Sequence, residues 1–538
     1  MYRTGFGSAR RCAQWIVLGI VVGILGQSAE AQLTDITQTP NPIDAGIAKS
    51  LQEQIGAGQG DEFTPWSSIY LINRDPARAV RRGRQLFQRA FTRNQGMGPR
   101  VNNDSIGDIT VNRAFGAGLA NSCAACHGRP RGAAGFGGDV VTRPDSRDAP
   151  HLFGAGLVEM IADEMTADLR ETRKRARQWS RWLGGPITLP LESKGTHFGR
   201  ITALPDGRVD TSKVNGVNPD LRVRPFFAQG GAFSLREFIV GAFKDEMGLE
   251  SPDTVLCAAT DPQNPVAAAS PGGMLFDPAR DEIVRPAVCD PSIDGDSDGV
   301  VNEIDPALVD YLEFYLLNYF KPALGKQTKR TRQGEKLLRQ VGCTGCHTPD
   351  LKIDRDRRIA DVETRFDQHR GIFNRLFATA TTLFDVERDG EALPKLVPQG
   401  KAFVVENIYA DFKRHDLGPA YHERDYDGSY VKEFMTEPLW GVGTTPPYGH
   451  DGRSINLEEA ILRHGGEARE SRNAYAELND NDRRKISEFL QALVLFPPDD
   501  TASNLNPGVP GTEYIQDPSH HGSINLSVLF QDANEGAE

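Results

Sequence analysis

Two five-residue segments of the chain have residue types and spacing that fit the covalent attachment of a haem. Both follow the pattern Cys-x-x-Cys-His, at Cys123, Cys126 and His127 and at Cys343, Cys346 and His347. Two thiols about one helical turn apart can form thioethers with the vinyl groups of a porphyrin, and the adjacent imidazole can bind the iron. A four-thiolate zinc site is the alternative, but zinc does not explain why a histidine follows each cysteine pair. The pattern therefore predicts two covalently bound haems c.

The second axial ligand decides whether a haem iron carries electrons or reacts with a substrate. A short helix is predicted at residues 456–461, and it ends at His464, which two glycines follow. A histidine in this position can bind the iron of the second haem, or it can cap the C-terminus of the helix. The residues alone leave both roles open.

Residues 294–299, with the sequence DGDSDG, are a candidate cation-binding loop. Alternating carboxylates followed by a glycine begin many calcium-binding loops. The predicted ligands are Asp294, Asp296, Asp298, Val300 and Asp305, with Asn302 at the ninth position of the loop. Glutamate is usual at the twelfth position, so Asp305 predicts weaker or differently arranged binding. An acidic, solvated loop is the alternative.

The N-terminus has the pattern of an export signal. Three arginines precede an apolar run at residues 15–26, and the sequence AEA follows at residues 29–31. This predicts cleavage after Ala31 and a periplasmic location. The run is shorter than the roughly 20 residues of a membrane-spanning helix, and no later stretch is long and apolar enough.

Cleavage would change the formal net charge from −12 to −14. An acidic chain argues against nucleic acid and anionic lipid as partners and is compatible with a basic redox partner. Cleavage also removes Cys12, so that Cys257 and Cys289 remain outside the two motifs. In an exported protein a disulfide between them is the simplest expectation, and two free thiols are the alternative.

Similar elements precede the two motifs. Residues 81–87 (RRGRQLF) and 334–338 (GEKLL) both read as helices, which indicates a repeated module. Further helices are predicted at residues 157–183, 233–248 and 306–320. The predicted organisation is a signal peptide (1–31), an N-terminal haem domain (32–325) with a disulfide and calcium loop insertion (251–305), a C-terminal haem domain (326–500) and an extended or partly disordered tail (501–538).

Several motifs resemble a known family. Residues 447–453 (PYGHDGR) and 457–460 (LEEA) are similar to the signature of bacterial dihaem cytochrome c peroxidases. Residues 149–159 (APHLFGAGLVE), 345–349 (GCHTP) and 461–468 (ILRHGGEA) resemble more specifically the di-haem oxidoreductase (putative peroxidase) family. These motifs spread over most of the mature chain.

The resemblance implies a mainly α fold, with two cytochrome-c-like haem domains that face each other and contain long loops and few short strands. His464 aligns with the sixth ligand of the C-terminal haem, which is usually methionine in the dihaem peroxidases. We therefore expect His347 and His464 to be the ligands of that iron, at a lower potential than with methionine. For the haem at His127, an open sixth position is favoured, with His151 and His197 as the nearest alternative ligands.

Peroxide cleavage also needs a group that moves a proton between the two oxygens. The candidates are Glu159 and Glu246, although an acidic residue on a helix is more often simply solvated. His450 and Arg453 are expected to be structural or to bind haem propionates.

The leading hypothesis is an exported dihaem oxidoreductase that reduces hydrogen peroxide at the N-terminal haem. Electrons would pass through the C-terminal haem from a small donor protein, a cytochrome or a cupredoxin. One alternative is dioxygen chemistry on an organic substrate, as in the rubber oxygenases, which are similar dihaem proteins. The others are cofactor maturation on a partner protein, as in the methylamine-utilisation dihaem enzyme, and pure electron transfer.

Overall fold

The computed structural model describes ten ranges of the chain. They are residues 51–98, 120–129, 133–136, 139–140, 147–367, 372–380, 382–386, 392–396, 400–424 and 429–495. The predicted signal peptide and the predicted tail lie outside these ranges, as do residues 32–50.

The first haem motif forms a helix of its own, after a group of helices that precede it in the chain. The elements are α1 (Leu51–Ile55), α2 (Ser68–Arg74), α3 (Pro76–Gln88), a 3-10 turn (Arg93–Gln95) and α4 (Cys123–His127). α3 begins with a proline after Asp75, whose carboxylate accepts the N–H of Arg78. Ser122 caps α4 by accepting the N–H of Ala125 at 3.0 Å. The first motif therefore starts at a defined helix N-terminus.

The predicted helix at residues 157–183 is confirmed and starts two residues earlier. It is α5 (Ala155–Leu183), which begins and ends at glycines with left-handed backbone conformation. An antiparallel sheet packs against it, with the order β3-β4-β5. The strands of this part are β1 (Asp139–Val140), β2 (Arg147–Asp148), β3 (Ile187–Ser193), β4 (Thr196–Ala203) and β5 (Val209–Asp210).

The predicted helix at residues 233–248 consists of two elements. α6 (Leu235–Ala242) is capped by Ser234, as expected, and continues as a π-helical turn (Phe243–Met247) that ends at Gly248. π-helical turns are rare and frequently lie at functional sites, because they redirect side chains that an α-helix would place differently. α7 (Thr254–Ala259), β6 (Ala268–Ala269) and β7 (Leu275–Phe276) follow.

Every side chain of α8 (Pro306–Asn318) is buried. It forms the centre of the first hydrophobic core, where Gly83 of α3 lies so close that a Cβ would overlap the carbonyl oxygen of Tyr311. Most of its residues are apolar, as expected in such a central position, and its buried Asp310 and Glu313 pair with Arg236. The short strand β8 (Ala323–Leu324) follows it and pairs with β19 (Leu493–Val494) near the end of the described chain.

The second half combines short helices with antiparallel hairpins. Its helical elements are α9 (Lys329–Gln340), a 3-10 turn (Cys343–Gly345), a 3-10 turn (Val442–Thr444), α10 (Leu457–Arg463), a 3-10 turn (Gly466–Ala468), α11 (Arg469–Ala476) and α12 (Asp480–Gln491). Its strands are β9 (Leu351–Ile353), β10 (Ala360–Asp367), β11 (Ile372–Ala380), β12 (Thr382–Val386), β13 (Ala392–Leu396), β14 (Phe403–Val405), β15 (Arg414–Asp416), β16 (Glu423–Arg424), β17 (Tyr430–Val431) and β18 (Glu433–Met435).

The fold is therefore mixed, with many helices and short antiparallel strands. The hairpins β10–β11 and β12–β13 were not predicted from the sequence. One hydrophobic core joins α5 and its sheet to residues 351–353 and 403–412, on the other side of the predicted domain boundary. The assignment of two cytochrome-c-like domains with a boundary near residue 326 stays a prediction.

Cys257 and Cys289 form the expected disulfide, which closes a loop with a sequence separation of 32 residues. We expect the double variant Cys257→Ser/Cys289→Ser to lower the free energy of unfolding by about 3 kcal/mol, because the cross-link restricts the unfolded chain. Urea unfolding of both proteins measures this difference. Equal unfolding midpoints and slopes would show that the bridge contributes nothing to stability.

Within the ranges that the structure describes, no helix has the length and apolar character needed to cross a bilayer.

Candidate functional site

The two Cys-x-x-Cys-His motifs open onto the same cavity, which has a volume of about 870 Å³. Its walls come from both halves of the chain: α4, the segment 148–153, α6 with its π-helical turn, and residues 415–472. The motif residues among the lining are Cys126, His127, Cys343, Cys346 and His347, and His464 lines it too. The structure thus brings together side chains that are more than 300 residues apart in the sequence.

Three histidines of the cavity are held in the same way. In each, the Nδ1–H donates to a main-chain carbonyl oxygen, which leaves Nε2 free. The acceptors are Pro150 for His127 at 2.7 Å, Tyr409 for His347 at 3.0 Å and Ala460 for His464 at 2.7 Å. This arrangement is typical of histidines that bind a metal through Nε2.

The protonation of these rings agrees with a ligand role. Burial lowers the pKa of His127 and of His347 to about 4, and it also lowers the pKa of His464. A neutral imidazole keeps the nitrogen lone pair that an iron needs. The proximity of His464 contributes to the low pKa of His347, so these two rings share one part of the cavity.

The carbonyl groups that hold His127 and His347 are themselves connected. The Nε2–H of His151 donates to the carbonyl oxygen of Trp440 at 2.9 Å, and the N–H of Leu439 donates to that of Ile408 at 3.0 Å. We call this series the proximal connection; it consists of Pro150, His151, Trp440, Leu439, Ile408 and Tyr409. Gly441 permits it, because a Cβ there would lie 2.8 Å from Nε2 of His151.

The motif cysteines fit thioether attachment better than the zinc alternative. All four are free of disulfides. Burial raises the pKa of Cys123 to about 12 and that of Cys126 and Cys343 to about 11, so these thiols are protonated in the absence of a bound group. Among the described residues, no group of potential metal ligands contains cysteines from both motifs. The residues present therefore fit two covalently bound haems.

The position of His464 is compatible with both roles that the sequence left open. Its main-chain N–H donates to Ile461 and ends α10, while its ring lines the cavity. Tyr421 packs against this ring, with the centroids 5.3 Å apart, and its hydroxyl donates to the carbonyl oxygen of Ala460. These contacts fix the orientation of the imidazole in the cavity.

The part of the cavity around His127 has a different character. It is lined by three aromatic rings, Phe226, Phe227 and Phe238, and the Phe238 ring lies 6.4 Å from the His127 ring. Of the alternative ligands, His197 is exposed and lies beside Glu192. His151 reaches the cavity, but its Nε2 is engaged with Trp440 in the proximal connection.

The two candidate acids occupy different places. Glu159 is buried and is not among the residues that line the cavity. Its Oε2 accepts the N–H of Leu235 at 2.6 Å, and its Oε1 pairs with Arg357 at 2.6 Å. Glu246 lies on the π-helical turn and lines the cavity, close enough for its charge to raise the pKa of Cys126. Of the two candidates, Glu246 lines the cavity, whereas Glu159 forms a buried ion pair with Arg357.

The structure adds a carboxylate to the cavity wall that the sequence did not indicate. Glu437 lines the cavity, and its removal from bulk water raises its pKa to about 7. It belongs to an irregular segment without periodicity, so no local sequence pattern indicates it.

His450 and Arg453 were expected to be structural or to bind haem propionates. The His450 ring stacks on Phe434, and its Nε2 lies 2.9 Å from Glu423. Arg453 is more exposed and lies beside Asp451.

The acidic loop brings together three of its five predicted cation ligands. Asp294 and Asp296 lie within 4.8 Å of Glu250, and Asp296 and Asp298 lie equally close to Glu303. Asp305 instead caps α8 by accepting the N–H of Ala307 at 2.9 Å.

Two glutamates thus join the predicted ligands. Glu303 falls within the loop at its tenth position, and Glu250 comes from a segment more than 40 residues earlier. Burial and the neighbouring carboxylates raise the pKa of Glu303 to about 9 and that of Glu250 to about 7. Val300 donates its N–H to Asp298 at 2.7 Å.

Of the comparisons with known proteins, one agrees with the two predicted haem motifs. The family model described as "Di-haem oxidoreductase, putative peroxidase" matches residues 397–493, which include Trp440 and His464. No curated protein matches the chain significantly. Among solved structures, hydrazine synthase of Kuenenia stuttgartiensis, pressurised with xenon, aligns at 16% identity, with a TM-score of 0.22.

That alignment covers 35% of this chain and 56% of the other, so the chain spans just over half of that protein's length. A TM-score of this size carries no argument about fold or function. The family match is different, because it falls on the segment that forms one wall of the cavity. Residues 397–493 match the model of the di-haem oxidoreductase (putative peroxidase) family, the family that the motifs resemble.

Proposed function

We propose that the chain binds two haems covalently and reduces hydrogen peroxide at the N-terminal one, with electrons that reach it through the C-terminal one. The observation that carries this proposal is the unequal surroundings of the two motif histidines in one cavity. His347 lies in the same part of the cavity as His464, whose free Nε2 suits a second axial ligand. The part of the cavity around His127 is lined by aromatic rings and by Glu246.

Each motif would hold its haem through two thioethers and the Nε2 of its histidine. Bound there, a haem supplies a redox-active iron, and the axial ligands set its potential and its access to small molecules. Imidazoles from both His347 and His464 would hold the second haem, which would suit electron transfer. His127 would be the one imidazole at the first haem, which would suit a reaction with peroxide.

The protein's contribution at this site would be proton transfer beside an apolar wall. Glu246 lines the cavity from the π-helical turn and could carry a proton from one peroxide oxygen to the other. Phe226, Phe227 and Phe238 form the apolar wall, in which Phe226 is buried and Phe227 is partly exposed. The donor is proposed to be a small redox protein of basic charge, which would be attracted by the net negative charge of the chain.

The same aromatic wall favours a second candidate function, in which dioxygen reacts with an apolar organic substrate. The three phenylalanine rings near His127 offer more apolar surface than peroxide needs.

Spectroscopic titration of the purified, haem-loaded protein tests both functions. We expect two haems per chain, one low-spin and one with a high-spin component that binds cyanide. Peroxide should be consumed with a reduced cytochrome as donor at about 1 s⁻¹ or faster. A stable dioxygen complex without peroxide turnover would favour the oxygenase instead. Two low-spin haems that are both inert to cyanide would contradict both enzyme functions.

A further inference from the structure

The acidic loop holds carboxylates that are buried deeply and close together. Glu250, Asp296 and Glu303 have relative exposures of 0%, 1% and 3%. Neither Glu250 nor Glu303 forms an ion pair with a lysine or arginine in the described ranges. Buried like charges repel each other and are stable only with a compensating cation or with bound protons.

One oxygen in this group lacks a partner. Oε2 of Glu303 accepts the main-chain N–H of Glu250, but its Oε1 has no hydrogen-bond partner in the structure. Gly96, with φ of +97°, covers this oxygen so closely that a Cβ on that residue would overlap it. A buried carboxylate that lies beside two others and has one oxygen without a hydrogen-bond donor is well placed to bind a cation.

The distances fit calcium. Oxygens of Glu250, Asp294 and Asp296 lie within 4.8 Å of one another, as do those of Asp296, Asp298 and Glu303. Ligands of one Ca²⁺ lie at about 2.3–2.6 Å from the ion, so their oxygens can be up to about 5 Å apart. Mg²⁺ is a poorer fit, because it keeps several waters and is seldom held by protein oxygens alone.

We propose that these five carboxylates form a Ca²⁺ site that fixes the wall segment carrying Glu246. The ligands are Glu250, Asp294, Asp296, Asp298 and Glu303. The site lies beside the proposed haem chemistry without taking part in it. Its existence does not depend on the proposed function, although its effect on Glu246 does.

The connection to the cavity is short. Glu250 lies four residues after Glu246, and Leu249 and Ser251, on either side of it, line the cavity. The carbonyl oxygen of Glu250 accepts the N–H of Ile304 at 3.0 Å, so that the loop and the wall segment are joined at two main-chain groups. A cation between Glu250 and the loop would add a third link and restrict the position of the π-helical turn.

Calcium titration of the full-length, haem-loaded protein after treatment with EGTA tests the site. Calorimetry should show Ca²⁺ binding with a Kd of about 10⁻⁵ M or lower, and elemental analysis should find calcium in the protein as purified. The melting temperature should rise by about 5 °C in 1 mM Ca²⁺ relative to EGTA. No binding heat, no bound calcium and an unchanged melting temperature would overturn the proposal in favour of a protonated cluster.

Variants separate cation binding from other structural roles. Glu303→Gln keeps an acceptor for the N–H of Glu250 but loses the charge, so it should weaken Ca²⁺ binding at least tenfold and abolish the gain in melting temperature. In EGTA it should be as stable as the parent, because a buried charge is gone. The more accessible ligand variant Asp298→Asn should also weaken binding, while Glu282→Gln, an exposed control, should not. A calcium response that persists in both ligand variants would overturn the assignment.

The effect on Glu246 has its own readout. Peroxide turnover should fall in EGTA and recover with Ca²⁺, while the spectrum of the His347 haem stays unchanged. Calcium binding without any change in turnover, in a protein that does reduce peroxide, would overturn the link to the wall segment. If the protein shows no peroxide turnover at all, the proposed function fails, and the calorimetric result still decides the site.

Discussion

Replacing His464 with alanine should convert one of the two haems from low-spin to high-spin and leave the other unchanged. The free Nε2 of His464 lies in the part of the cavity that also holds His347, and the Nδ1–H bond to Ala460 fixes the direction of the ring. Loss of the imidazole leaves the iron without a strong sixth ligand. Electronic absorption and electron paramagnetic resonance spectra measure the change, and turnover with a protein donor should fall with it.

His422→Ala is the matched control, because this histidine is hydrogen-bonded to Asp416 at 2.7 Å and does not line the cavity. Its haem spectra should be those of the parent protein. His464→Met restores the residue that is usual in related dihaem peroxidases and should raise the reduction potential of the same haem by more than about 100 mV. Parent-like spectra and an unchanged potential in both His464 variants would rule out a ligand role for this residue.

Glu246→Gln should lower the rate of peroxide reduction by about 10²- to 10⁴-fold, while both haems load and keep their spectra. Glutamine has nearly the same shape but cannot carry a proton between the two peroxide oxygens. Stopped-flow kinetics with peroxide measure the loss directly. The exposed variant Glu192→Gln is the control and should keep the parent rate.

The other acidic candidate should behave differently. Glu159→Gln leaves Arg357 without its buried partner, so we expect a loss of about 3 kcal/mol in the free energy of unfolding. Peroxide kinetics of the remaining folded protein should stay close to those of the parent. A strong kinetic effect of Glu159→Gln together with a weak one of Glu246→Gln would reverse the assignment.

The extent to which the site could be predicted depends on how local each signal is. The Cys-x-x-Cys-His motifs, the Ser234 cap and the DGDSDG loop lie in contiguous residues, and the structure places each of them as a recognisable unit. His464 could be proposed because it follows a capped helix and aligns with a family ligand. In each case, the chemistry is encoded within about ten residues.

The features that were missed depend on contacts between distant segments. Glu250 joins the acidic loop from more than 40 residues away, and Glu437 reaches the cavity from an irregular segment. The π-helical turn keeps the hydrophobic pattern of an ordinary helix, so periodicity does not reveal it. Likewise, strands β10 to β13 form two hairpins, whereas the regular elements predicted from the sequence were helices.

The proximal connection has a consequence for how the two redox centres would communicate. Because hydrogen bonds join the segments that hold His127 and His347, the distance between the two irons would be nearly constant. A large domain motion would then not limit the rate of electron tunnelling between them. Control of the reaction would lie in the coordination state of each iron and in the arrival of the donor, so solvent viscosity should have little effect on transfer within the protein.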